Sequence, residues 1–274
     1  MLEFLLGVKE RNMSFFKILF KNRRLAFKLG KNDFRNRFAN TGLGAVWGFA
    51  QPFVFMLTYV IVFQYILRTG SSGEYPYVVW FLPGMSIWLF CSEAILSASN
   101  SIRNYSYLVK KVVFPVDIIP LISLTSSSFI GIFLMTIAII VSSIFGFVPN
   151  FLIVFYILIC LFAFIVSLTR FTSAVTTLVP DFAQLLNIVI QLCMWFTPIV
   201  WNLSMVPDRL KPVFKAFPFT YLVEGFRQAF MENSTILNES NFRYTIIFWV
   251  ITLIVFIWGN AIFKKSKKDF ADVL

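Results

Sequence analysis

The sequence predicts an all-α integral membrane protein with six transmembrane helices, preceded by an N-terminal amphipathic helix lying at the membrane interface. Three observations predict it. The composition is 58% hydrophobic and 14% charged, with a mean hydropathy of +0.79, where soluble domains run at about 45–50% apolar and about 25% charged. A chain of 274 residues cannot hide that excess in a core, because chains of this size leave much surface facing solvent, so much of that solvent is lipid. Six apolar runs approach or exceed the roughly 20 residues that cross the hydrocarbon, and lysine and arginine divide unevenly between the loops that join them.

Residues 1–44 open with acidic residues and only short apolar pieces over Met1–Phe20, so no cleavable signal peptide is visible. Over residues 15–39, Phe27, Phe34 and Phe38 recur at helical spacing while Lys28, Lys31, Arg35 and Arg37 fill positions between them. That pattern suits a helix lying at the level of the cytoplasmic headgroups. The first run, Ala45 to Leu67, is uncharged, and the second, Tyr77 to Ala98, carries only Glu93. Leu121 to Val148 and Phe151 to Thr169 form the third and fourth, parted by a Gly/Pro/Asn break. Phe182 to Val206 is the fifth, Tyr244 to Phe263 the sixth, and the basic tail of residues 264–274 follows.

Six crossings put both ends on one side. Residues 1–44 hold ten Lys/Arg, the loop around Arg103, Lys110 and Lys111 three, and the tail four; with Arg170 that is eighteen of 24. Arg68, Arg209, Lys211, Lys215, Arg227 and Arg243 lie on the other side. The positive-inside rule therefore places both termini in the cytoplasm of a multi-pass plasma-membrane protein. The net charge of +11 points to those cytoplasmic flanks and to anionic lipid, not to nucleic acid.

Several chemistries are excluded. With no histidine there is no Ser-His-Asp or Cys-His relay, no HExxH zinc site and no imidazole general base. Cys91, Cys160 and Cys193 sit far apart within apolar runs and read as small hydrophobes. No G-x-x-x-x-G-K-[ST] phosphate loop occurs, so any nucleotide motor is on another chain. Glu93 and Arg170 are the ionisable residues inside or bordering spans, and such groups normally face a bundle interior or a wet path. Glu93 could contact substrate, pair across a dimer or stay protonated in a local hydrogen bond, while Arg170 is expected to snorkel towards headgroups. The outer segment Leu203–Arg243 is rich in Phe214, Phe217, Phe219, Tyr221, Leu222 and Phe226, which suggests that it dips back into the bilayer. Glu224 and Arg227, three apart on such a helix, can pair.

The loop after the second run is polar at its start, carries Arg103, Lys110 and Lys111, and ends at Pro115. The phrase Asn104-Tyr105-Ser106-Tyr107-Leu108-Val109-Lys110-Lys111-Val112-Val113-Phe114-Pro115, then Ile118-Ile119-Pro120, resembles the coupling segment of polysaccharide-export ABC permeases. So does Asn32-Asp33-Phe34-Arg35-Asn36-Arg37-Phe38 followed by Leu43-Gly44-Ala45-Val46-Trp47-Gly48, and so does Trp195-Phe196-Thr197-Pro198-Ile199-Val200-Trp201. The blocks run in the family's order from about residue 30 to 227, and the pattern is similar to permeases that export teichoic acids or O-antigen-like glycans.

The resemblance implies a homodimer with six spans and short outer re-entrant helices per protomer. It also implies two copies of a separate ATPase, which carries the ATP and Mg, with no cofactor in this chain. Coupling to that ATPase would fall on Asn104, Leu108, Lys110, Lys111, Phe114 and Pro115, with Asp33 and Arg35. The substrate, a polyprenyl-linked glycan, would pass residues Tyr59, Phe63, Glu93, Gln191 and Trp195, since the family lines its channel with the first and fifth spans. Two departures stand out: Pro180-Asp181 replaces the family's Arg-Asp, and Phe217-Pro218 replaces its Asn-Pro. Rival readings are a drug or small-lipid exporter of the same fold and a membrane glycosyltransferase. The outer acids Glu74, Asp208, Glu224, Glu232 and Glu239 form no close DxD-like pair for the latter.

Overall fold

The computed structural model describes residues 15–39, 41–67, 75–110, 114–231 and 239–274. Lys111, Arg68, Glu74, Glu232 and the start of the segment 1–44 lie outside the described residues, which hold helices and no β-strand. Helix α1 is Phe15–Arg37, and α2 is Val46–Val60, continued by a π-helical stretch, Ile61–Ile66. Then come α3 (Tyr77–Ser99), the two short helices α4 (Ser101–Asn104) and α5 (Ser106–Val109), and α6 (Ile119–Ile144) behind a 3-10 turn. The long α7 (Phe151–Leu178), α8 (Phe182–Phe196), α9 (Lys211–Ala216) and α10 (Pro218–Gln228) follow. The last two are α11 (Glu239–Ser266) and α12 (Phe270–Val273).

Among the described residues, five helical stretches are long and apolar enough to cross a membrane: Val46–Ile66, Tyr77–Ser99, Val116–Ile144, Phe151–Leu178 and Phe242–Ser266. They correspond to the first, second, third, fourth and sixth runs of the sequence. The fifth run departs from expectation. Its helix ends at Phe196 after 15 residues, about 22 Å at 1.5 Å per residue, which is short of the roughly 30 Å hydrocarbon. Part of the cause is local: the residue before a proline is disfavoured in the helical region, and Thr197, before Pro198, is extended at φ −86°, ψ 133°. The third run also ends early, at Gly146, whose φ of +91° lets Phe147 N–H reach Ser142 O at 2.9 Å and Gly146 N–H reach Ser143 O at 3.0 Å. This is a Schellman stop.

Helix α3 is the axis of the bundle. Apart from Glu93 and a few serines it is apolar all round and buried along most of its length, as expected of a helix enclosed by others. Around it pack α6, α7, α10 and, more lightly, α2 and α8. Helix α11 lies along α7, and α1 lies along α6. The main core joins Met85, Phe90, Ala94, Leu134, Ile157, Leu161, Phe226 and Phe248. A second, smaller core at one end of the bundle joins α4, α5 and the 3-10 turn to α7, α11 and α12.

Candidate functional site

The end of the bundle that carries α4 and α5 collects most of the residues singled out in the sequence. Neither helix can hold its shape alone, because four residues are far below the length at which an isolated helix is stable. The chain also breaks between them at Tyr105, which is non-helical at φ −106°, ψ 29°. Tertiary contacts hold them instead. The Tyr105 hydroxyl donates to Asp33 Oδ1 on α1, and Asp33 Oδ2 accepts from Arg37 Nε at 2.8 Å. Arg37 then reaches α3, donating to Glu93 Oε1 at 2.7 Å and to the Ser97 hydroxyl. Ser127 Oγ on α6 completes the set, 3.4 Å from Glu93. A continuous polar relay thus ties α1 to the loop and to the central helix. Burial first, and then the bond to Asp33, raises the Tyr105 phenol above its ordinary range, so it keeps its proton and its role as donor.

The expected coupling residues fall into three settings. Leu108 is buried in the small core, and Phe114 and Pro115 are half-buried beside it. Asn104, Lys110 and Arg35 are exposed, and Asp33 joins the relay. For Glu93, the structure supplies a partner that none of the sequence alternatives named, Arg37 on the same chain. The expectation for Arg170 is overturned. Its residue is 1% exposed, and its NH2 group donates to Asp117 Oδ1 at 3.1 Å and to Asn260 Oδ1 at 3.0 Å. Its guanidinium lies between the rings of Phe15 and Phe263, 4.1 and 4.3 Å away. The reason is length: α7 continues to Leu178, well past the apolar run, so Arg170 lies within packed protein where an acid is at hand. Asp117 also accepts from Lys267 Nζ.

The expected path residues are not brought together within one chain. Tyr59 stacks on Phe63 at 5.9 Å and on Phe81 at 5.8 Å, and Phe63 stacks on Tyr77 at 5.9 Å, so both aim at α3. The open face of α2 carries Gln51, Val54, Thr58, Ile61 and Tyr65 instead. On α8, Gln191 and Trp195 are exposed, as are Gln184 and Ile188. Helices α2 and α8 are thus both poorly covered on one side and flank α3.

At the opposite end, the broken exit of α8 poses a problem that Arg227 solves. Unwound backbone at membrane depth is tolerated only where protein satisfies it. Arg227, 1% exposed, donates to Ile199 O at 2.7 Å, to Pro198 O, to Trp80 O at 2.8 Å and to Glu224 Oε1 at 2.7 Å. Its guanidinium lies 3.7 Å from the centre of the Trp80 ring. Gly84 makes the room, since a Cβ there would sit 2.5 Å from Arg227 NH2. The Glu224–Arg227 pair expected from spacing is present, but as a buried hub and not as a surface pair. The hub's other partners were hidden from the sequence, because the acceptors are backbone carbonyls.

Comparison with known proteins adds the following. Residues 25–231 match the sequence model of a family described as ABC-2 type transporter. The chain is similar to an O-antigen export system permease protein RfbA of Klebsiella pneumoniae, 28% identical over 250 residues that cover 88% of this chain and 92% of the relative. A second protein of that name and organism is 27% identical over the same coverage. One from Myxococcus xanthus is 21% identical over 259 residues, 93% of this chain and 96% of the relative.

Proposed function

The chain belongs to the ABC-2 type transporter family, and on that premise we propose that it is the membrane permease of an ABC exporter that moves a lipid-linked polysaccharide outward. The observation that carries the reading is the similarity to O-antigen export permeases over nearly the whole length of both chains. The motor in this reading is a separate ATPase in two copies, holding ATP and Mg, as expected of a permease of this family whose sequence shows no phosphate loop of its own. Residues 101–110 receive its motion and pass it through Tyr105 and Asp33 to α1. The end of the bundle bearing these elements faces the cytoplasm, together with both termini, in keeping with eighteen of 24 basic residues. The path is shared by two protomers: the open faces of α2 and α8 oppose those of a second copy. Helix α8 and the segment 197–206 together make the fifth of six crossings, and α9 and α10 are the re-entrant pair on the outer side.

Deleting this chain in its native cell tests the reading. The polymer is expected to build up inside on its lipid carrier and to vanish from the surface, with recovery on complementation. Normal surface polymer in the deletion strain would overturn the proposal. At the protein level, Lys110→Glu is expected to weaken ATPase association or export while membrane insertion stays intact.

A further inference from the structure

The tail that the sequence presents as a basic cytoplasmic extension folds back and packs beneath the loop. After α11 ends at Ser266, a turn over Lys267–Asp269 leads into α12, and Phe270 returns to the protein with 0% exposure. Its ring meets Phe263 edge-on at 5.6 Å. It shares a buried cluster with Ile102 of α4, Leu108 of α5 and Val116 and Ile119 after the loop, and Leu274 borders the same cluster. Val273 and Leu274 also line a cleft of about 200 Å³ opposite Arg103 and Ser106. On the far side of Phe263, Lys267 pairs with Asp117, which also binds Arg170.

From these contacts we propose that residues 267–274 are a brace that sets the position of α4 and α5 and carries their movement into the last span. Without the tail, the two four-residue helices keep the Tyr105–Asp33 bond and their packing against α6 and α7 but lose the contacts made from the tail side. With it they are gripped from both sides. The second grip leads through Phe270 and Phe263 into α11, which is packed along α7 so closely that a Cβ at Gly259 would lie 3.0 Å from Ser167 O. A push on α4 and α5 thus meets two packed lines, one into α1 and α3 and one into α11 and α7. Phe270 and Lys267 are positioning residues in this scheme and need not touch the ATPase. The proposal rests on the reading that residues 101–110 are where the ATPase acts.

The test uses the purified permease–ATPase complex in proteoliposomes, with polymer export and ATP hydrolysis measured on the same sample. Phe270→Ala and Lys267→Glu are expected to leave the ATPase bound and hydrolysing, while polymer moved per ATP falls at least about threefold. Phe270→Leu and Lys267→Arg should restore most of the ratio. An unchanged ratio in both Phe270→Ala and Lys267→Glu would overturn the brace, and so would loss of the ATPase from the complex at equal membrane content, since the tail would then be a docking surface. Lys267→Glu, at a half-exposed site, keeps the test valid if Phe270→Ala does not fold. The coupling reading fails separately, if Lys110→Glu leaves binding and export untouched.

Discussion

The charged side chains that matter most here are paired inside the protein, and several of the pairs join elements far apart in sequence. Arg37 and Glu93 are 56 residues apart and Tyr105 and Asp33 are 72 apart, so no spacing rule reaches them. Glu224 and Arg227 are three apart on one helix and were legible for that reason. Two expectations follow at this scale. Tyr105→Phe removes one hydrogen bond to a carboxylate, worth about 1.5–3 kcal/mol. Export should drop several-fold with normal insertion, as measured by surface polymer against permease in the membrane fraction. Arg227→Lys presents three donors on one nitrogen where the guanidinium served three carbonyls and a carboxylate, leaving at least one buried acceptor bare at about 1–3 kcal/mol. The variant should be recovered in detergent at a small fraction of wild-type yield, and normal yield with unchanged thermal unfolding would contradict the hub.

Among the helices, the sequence located the long apolar runs well because a span is a bulk property of some twenty side chains. It did not show that the fifth run is two pieces: a Thr-Pro step inside an apolar run marks either a break or a kink, and only the contacts made at the exit decide which. Nor could it show that α7 outlasts its apolar run and takes Arg170 with it, since a helix continues wherever other helices cover its polar residues. At this scale, replacing Pro198 with Ala tests which force ends α8. The Arg227 hub grips the carbonyls of residues 198 and 199 independently of the proline, so cysteine accessibility at residues 199–202 should hardly change in Pro198→Ala. Protection of those positions would show that the proline alone stops the helix.

For the molecule as a whole, the contrast in burial is the informative feature. Helix α3 is enclosed, while α2 and α8 are mostly bare along faces that mix Gln51, Thr58, Gln184 and Gln191 with aromatics. The sequence pointed to these two helices through resemblance; of its choices Gln191 and Trp195 are exposed on α8, while Tyr59 and Phe63 turn inward. Rotation about a helix axis is set by neighbours, and an apolar helix with lipid on one side and protein on the other has little pattern to reveal it. Tyr65→Cys combined with Trp195→Cys places thiols on the exposed faces near one end of the bundle. Oxidation in membranes should give a species of twice the chain mass and stop export; crosslinking confined to one chain would place the second copy elsewhere.

The guanidinium that closes the exit of α8 also imposes an order on biosynthesis. The carbonyls of residues 198 and 199 are made well before the residue that satisfies them: Arg227 lies 28 residues after Ile199, and until the ribosome reaches it those two carbonyls lack its guanidinium. Until then they must be met by water, by lipid headgroups or by the insertion machinery. A nascent chain arrested before residue 227 should therefore expose residues 197–206 to protease at the membrane surface, and one released beyond residue 230 should not. The last stage of assembly is thus a late clasp, made when a downstream helix reaches back to finish an upstream one.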